Sequence, residues 1–223
     1  MISKLPRWVE YGAFVLAFVA GTVNAVGLLG MQHQAVSHVS GTATLVGTGV
    51  IASSGSDVFH LVGILLSFLA GASLSGSMLP GTSLRLGRHY DSLLAIEGLM
   101  LLLSIYLLKN DSLLGHYTAS AACGIQNAMA TSYSGAVVRT THMTGIFTDL
   151  GLMIGAKLRG DSFDKRKAIL LLLIVVGFII GGTLGAYLYI NINFYALAIP
   201  AAICFLLAAM YRVYIVKFQY NPV

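Results

Sequence analysis

The sequence predicts an all-α polytopic membrane protein, with six transmembrane helices and two short re-entrant or broken helices arranged as two inverted repeats. Three observations predict it. The chain is 57% hydrophobic and only 9% charged, more apolar surface than a water-soluble core can absorb. Three motifs recur in the same order in both halves. Basic residues alternate between equivalent loops of the two halves, as they do when the copies face opposite sides.

The elements follow from length. About 20 apolar residues cross the hydrocarbon, and the stretches 11–30, 59–79, 92–108, 113–133, 168–190 and 195–216 approach or exceed that. The segments 39–54 and 143–158 are shorter and richer in Thr and Gly. Lys4 and Arg7 precede the first apolar stretch in the manner of a signal peptide. Many further spans follow, however, and no small-residue cleavage site ends the run, so it reads as a retained first helix. Cys123 and Cys204 fall inside spans and read as small buried apolar residues rather than a disulfide. His33 and His38 have no nearby Cys or second carboxylate at metal-ligand spacing. Neither a metal nor a cofactor is expected. The formal charge of +5 comes from basic residues that hug span ends, which makes them topology signals rather than a nucleic-acid surface.

The duplication organises the whole chain as one membrane domain, 1–223, with repeat one over about 8–110 and repeat two over about 111–217. "SHVSG" at 37–41, with Thr44 and Gly47 after it, matches "THMTG" at 141–145, with Thr148 and Gly151, at an offset of 104. Upstream, "GTVN" at 21–24 matches "GIQN" at 124–127 at an offset of 103. Downstream, "FLAGASL" from Phe68 matches "FIIGGTL" from Phe178 at an offset of 110. One such match is weak in a membrane sequence, but three in order make a duplicated unit.

Orientation follows from Lys and Arg, which favour the cytoplasmic side. Loop 53–57 has no basic residue, whereas its counterpart holds Lys157, Arg159, Lys165, Arg166 and Lys167. The next loop reverses this, with Arg85 and Arg88 set against an uncharged 191–193. Inversion needs an odd number of crossings per copy, and each copy has four apolar segments, so the short Thr-rich one should enter and leave on one side. That arrangement puts both termini in the cytoplasm and every Lys and Arg except Lys109 inside. Eight crossings, the alternative, recover Lys109 but lose Arg85, Arg88 and Arg139.

Irregular backbone at membrane depth is tolerated only where protein buries it or a watery cavity receives it. A half-helix beginning there, with Thr141 or His142 as its cap, turns free N–H groups and a positive dipole end toward whatever binds. Two inverted copies aim two such ends at one centre, the layout of many secondary transporters. The expected substrate-lining residues are Asn24, His38, Ser40, Thr44, Gln126, Asn127, His142, Thr144 and Thr148. Asp149 and Glu97 are candidate proton-coupling groups, because a carboxyl group within the membrane is costly. Asp149 has Leu45 as its counterpart, and Arg139 is a nearby cation it could meet. Gly177, Gly181 and Gly185 form a small-residue ridge suited to packing within the chain or to a homodimer face.

The order "GTVNA…SHVSGTATLVG…FLAGASL", then "GIQNA…TTHMTGIFTDLG…FIIGG", is similar to the YoaK-like family of bacterial inner-membrane proteins, a domain of unknown function. The likeness runs from about residue 10 to 210, and where that family carries T-G-N in the first copy this chain has Gly41-Thr42. The resemblance implies the bacterial cytoplasmic membrane and brings no substrate. The residues themselves favour a secondary transporter of a small solute, with a passive channel as the alternative. An intramembrane enzyme is disfavoured, since no H-E-x-x-H, G-x-S-x-G or P-loop pattern is present.

Overall fold

The structure is a computed structural model that describes residues 8–30, 36–52, 55–79, 89–135 and 138–219. Lys4, Arg7, His33, Arg85 and Arg88 lie outside the described residues, as does part of loop 53–57. The described residues form α1 (Trp8–Gly30), α2 (Val39–Ala52), α3 (Gly55–Met78), α4 (Tyr90–Lys109), α5 (Leu114–Ser134), α6 (Met143–Leu158), α7 (Lys165–Ile192) and α8 (Ala198–Gln219). A 3-10 turn, Asn193–Leu197, joins the last two. Asn193 ends α7 with a positive φ of 50°, and its amide bonds the Tyr189 carbonyl.

Length and hydropathy qualify α1, α3, α4 and the helical run 165–217, which contains α7 and α8, as membrane spans. The chain is therefore a multi-pass membrane protein. Although 21 residues long, α5 is not among these apolar spans. The reason is its place in the bundle: it packs on α1, α3 and α4 and buries 14 of its residues. Its Ser, His and Gln side chains meet protein instead of lipid, where polar groups are tolerated.

Contacts at the helix ends fix their directions. Glu10 at the start of α1 pairs with Arg166 at the start of α7, so these two helices run parallel. Trp8 stacks near Tyr133 at the end of α5, and Tyr90 at the start of α4 lies against Tyr133 and Tyr211. Asp91 beside Tyr90 pairs with Arg212 near the end of α8, while Lys109 at the other end of α4 bonds Tyr195. Hence α1, α4 and α7 run one way and α5 and α8 the other. Contacts of α3 with α5, from His60–His116 to Phe68–Gly124, add α3 to the second set.

Glycines let the two parallel pairs come close. A side-chain carbon added at Gly21 would strike the Phe178 carbonyl, and one at Gly181 the Phe18 carbonyl. In the other pair, Gly124 faces the Phe68 carbonyl and Gly71 the Ala121 carbonyl. Small residues that bring backbones together are the common glue of membrane helices, because lipid supplies no hydrophobic drive between them. Gly177 and Gly185 complete the ridge against Phe14 and Thr22 of α1, so this ridge is spent on packing within the chain.

Candidate functional site

Both short helices begin within the bundle. Ser37, just before α2, donates its hydroxyl to Oδ1 of Asn24 at 2.8 Å, and Asn24 lies six residues short of the end of α1. Thr141, just before α6, donates to Oδ1 of Asn127 at 3.4 Å, and Asn127 lies seven residues short of the end of α5. Each asparagine thus holds the chain where it turns into a half-length helix. The first amide to find a helical partner is Thr42 in α2, bonded to the His38 carbonyl at 3.1 Å. In α6 it is Ile146, bonded to the His142 carbonyl at 3.2 Å.

The expected side-chain cap is not what starts α6. His142 occupies the cap position without a side-chain hydrogen bond, and the Thr141 hydroxyl is turned away to Asn127. Instead the imidazole folds over the first turn, where Gly145 leaves room for it. His38 does the same over Gly41. The glycine of each motif therefore makes room for the histidine three residues before it.

The two helix starts open on one cavity of about 880 Å³. Asn24, His38 and Ser40 line it from one half of the sequence, and Asn127, His142 and Thr144 from the other. These are pairs at the sequence offsets of 103 and 104. Phe68 and Phe178, a pair at offset 110, also line it, as does Arg139.

Other expected residues lie outside the lining. Thr44 and Thr148 turn their hydroxyls back to the carbonyls of Ser40, at 3.0 Å, and Thr144, at 2.9 Å. Gln126 donates its amide to the Leu16 carbonyl at 3.0 Å and so ties α5 to α1. Asp149 pairs with Lys167 at 3.1 Å rather than with Arg139. Glu97 is 2% exposed within α4, one carboxyl oxygen has no partner, and the Cys204 thiol lies against the group.

None of the eight acidic residues lines the cavity. Glu10, Asp91, Asp149 and Asp161 are in ion pairs. Asp164 caps α7 through the Lys167 amide, Asp57 sits in the first turn of α3, and Asp111 lies between α4 and α5. Among the described residues, Arg139 is the one lining side chain with a fixed charge, and it makes no hydrogen bond or ion pair.

A second polar cluster was not foreseen from sequence. Nδ1 of His60 is 3.0 Å from the Tyr117 hydroxyl, and its Nε2 is 3.1 Å from Nδ1 of His116. Both imidazoles are buried between α3 and α5. Next along α5, Ser120 lies within hydrogen-bond distance of two carbonyls, Ile64 at 2.9 Å and Val36 at 3.1 Å, and so ties the approach to α2 onto this helix pair.

Among the described residues no group of three or more His, Cys, Asp or Glu side chains is placed to hold a metal. No curated protein and no solved structure matches the chain. The family model described as protein of unknown function (DUF1275) matches residues 12–210, and the chain belongs to that family.

Proposed function

We propose that the protein is a secondary transporter of a small solute, built from two inverted repeats whose re-entrant helices, α2 and α6, meet at the solute site. The observation that carries this is the cavity: its lining comes in sequence-matched pairs contributed by both halves. The helix directions support the inversion, since α1 and α5, α3 and α7, and α4 and α8 are matched in order and opposed in direction. So does the reciprocal glycine packing, in which Gly21 and Gly124 meet the carbonyls of Phe178 and Phe68. Interrupted helices at the interface of inverted repeats are how many transporters build a site at mid-membrane.

The bundle end that carries Trp8 also gathers Lys165, Arg166, Lys167 and Arg212, against Lys109 at the other. By the bias of basic residues this end is cytoplasmic, with both termini on that side. Single Cys residues at Ser56, in the first turn of α3, and at Ser162, in the α6–α7 connection, should label from opposite faces of the membrane. Labelling from one face would overturn the inversion. The native thiols, both free and buried, should stay silent.

Transport itself is tested in proteoliposomes by stopped-flow swelling in glycerol, urea or ammonium acetate. Flux above protein-free vesicles, lost when Ala43→Trp fills the cavity, is the expected outcome. No flux for any solute, or flux indifferent to that substitution, would end the proposal. A passive channel is the second reading, favoured by the lack of any carboxylate in the cavity. A rate unmoved by an imposed pH gradient and by Asp149→Asn identifies the channel; a rate that follows the gradient identifies coupling.

A further inference from the structure

We infer that the cavity between α2 and α6 selects an organic monocarboxylate, its carboxylate held by Arg139 and its apolar body by Phe68 and Phe178. The inference rests on the cavity being the solute site.

The charge inventory comes first. Every acidic side chain in the protein is placed elsewhere, and Arg139 stands in the lining with neither hydrogen bond nor ion pair among the described residues. A cation would meet a guanidinium and no compensating carboxylate. An anion would meet the one fixed charge of matching sign, on the side chain whose planar fork fits two carboxylate oxygens. The cavity surroundings favour the same sign. The residues that open α2 and α6 line it, and no amide before Thr42 or Ile146 has a helical partner, so both positive helix ends face the same space.

One arginine sets the valence. Its counterpart at offset 104 is Ala35, so this charge is not duplicated although the hydroxyls, imidazoles and amides around it are. A single net negative charge matches a single guanidinium, and a dianion would bring a second charge for which the lining offers no second cation. The apolar requirement comes from Phe68 and Phe178, which line the same cavity from α3 and α7. Inorganic oxyanions have nothing to place against those rings, whereas an alkyl or aryl carboxylate does.

Purified protein in detergent, titrated by calorimetry with acetate, butyrate, benzoate, benzamide, succinate and sulfate, tests this without requiring flux. Benzoate and butyrate should bind, benzamide at least tenfold more weakly than benzoate, and succinate and sulfate more weakly than either monocarboxylate. Arg139→Gln should weaken benzoate binding about tenfold to a hundredfold, as loss of a charge-assisted contact does. Arg139→Lys should recover part of it. Phe68→Ala should cost benzoate more than acetate. Arg139 is exposed and unbonded among the described residues, so its variants should elute as the parent does and the loss will not reflect misfolding.

Equal binding of benzoate and benzamide, no binding of any monocarboxylate, tighter sulfate, or unchanged affinity in Arg139→Gln would each overturn the inference. The two readings fail separately. Arginine-dependent benzoate binding without flux sinks transport and leaves this site, whereas flux of neutral solutes without carboxylate binding sinks the site and leaves transport.

Discussion

The α1–α7 and α3–α5 pairs use the same backbone approach and different polar locks. In both, two parallel helices each offer a glycine to the other's carbonyl, at Gly21 and Gly181 in one pair and Gly124 and Gly71 in the other. Beyond that, α1–α7 is closed by the Glu10–Arg166 ion pair and by the Thr22 hydroxyl on the Gly181 carbonyl at 3.0 Å. In α3–α5 the closing groups are the buried His60–His116–Tyr117 chain and Ser120. The difference separates two kinds of constraint. Contact between backbones leaves no room for a side chain at all, so glycine is required in both pairs. Polar closure needs only some donor facing some acceptor, and different residues meet that need.

The largest effect that can break the comparison is therefore at the glycines. Gly181→Val and Gly71→Val each drive a side chain into a carbonyl and should cost more than about 3 kcal/mol, beyond ordinary overpacking because backbone must move. Loss of monodisperse protein on detergent gel filtration checks it. Gly12→Ala, with nothing near its missing side chain, should be neutral or stabilising by up to about 1 kcal/mol. If Gly71→Val is tolerated and Gly181→Val is not, the two pairs are not equivalent.

Next in size come the polar locks, which sharpen the contrast. His116→Phe keeps a ring between α3 and α5 but leaves a buried nitrogen of His60 without its partner, at a cost of about 1–3 kcal/mol. Thr22→Val removes the corresponding contact of α1–α7 and should cost only about 0.6 kcal/mol, typical of a hydrogen bond between membrane helices. Denaturation in mixed micelles, read by tryptophan fluorescence from Trp8, should rank them in that order. A larger loss for Thr22→Val would show the single hydroxyl to be the stronger lock.

Much of the helical layout is legible because long apolar runs mark the spans locally. The segment expected over 143–158 is α6 to the residue, and the expected spans end within a few residues of the helices. Six of the nine expected lining residues, three from each half of the sequence, meet in the cavity. What failed to be legible is what sequence spacing does not carry. Gln126 and Asn127 are adjacent, yet successive helical residues point about 100° apart, so one lines the cavity and the other faces α1. Thr44 and Thr148 follow Ser40 and Thr144 by four residues, yet their hydroxyls bond the carbonyls of those residues and neither side chain lines the cavity. The pairing of His60 with His116 joins residues 56 apart with no local pattern between them. Arg139 was legible as a sidedness signal, and only the closure of the bundle turns it into a cavity residue.

The smallest predicted effect concerns the residue whose sequence reading was most pointed. Asp149 is the acidic half of a mismatch with Leu45, and an isolated carboxylate in the membrane would be a functional site by default. Its carboxylate is 46% exposed and rests on Lys167 at 3.1 Å, linking the second turn of α6 to the first turn of α7. Ion pairs this exposed contribute little, so Asp149→Asn should destabilise by no more than about 0.5 kcal/mol, less still at high salt. Because the group stands outside the cavity, benzoate affinity should also stay within about twofold of the parent, a difference below about 0.4 kcal/mol. Calorimetry on that variant separates the two halves of the motif. An unchanged affinity assigns Asp149 to anchoring α6 and leaves binding to the matched residues, whereas a tenfold change would mean that the helix it anchors sets the shape of the site.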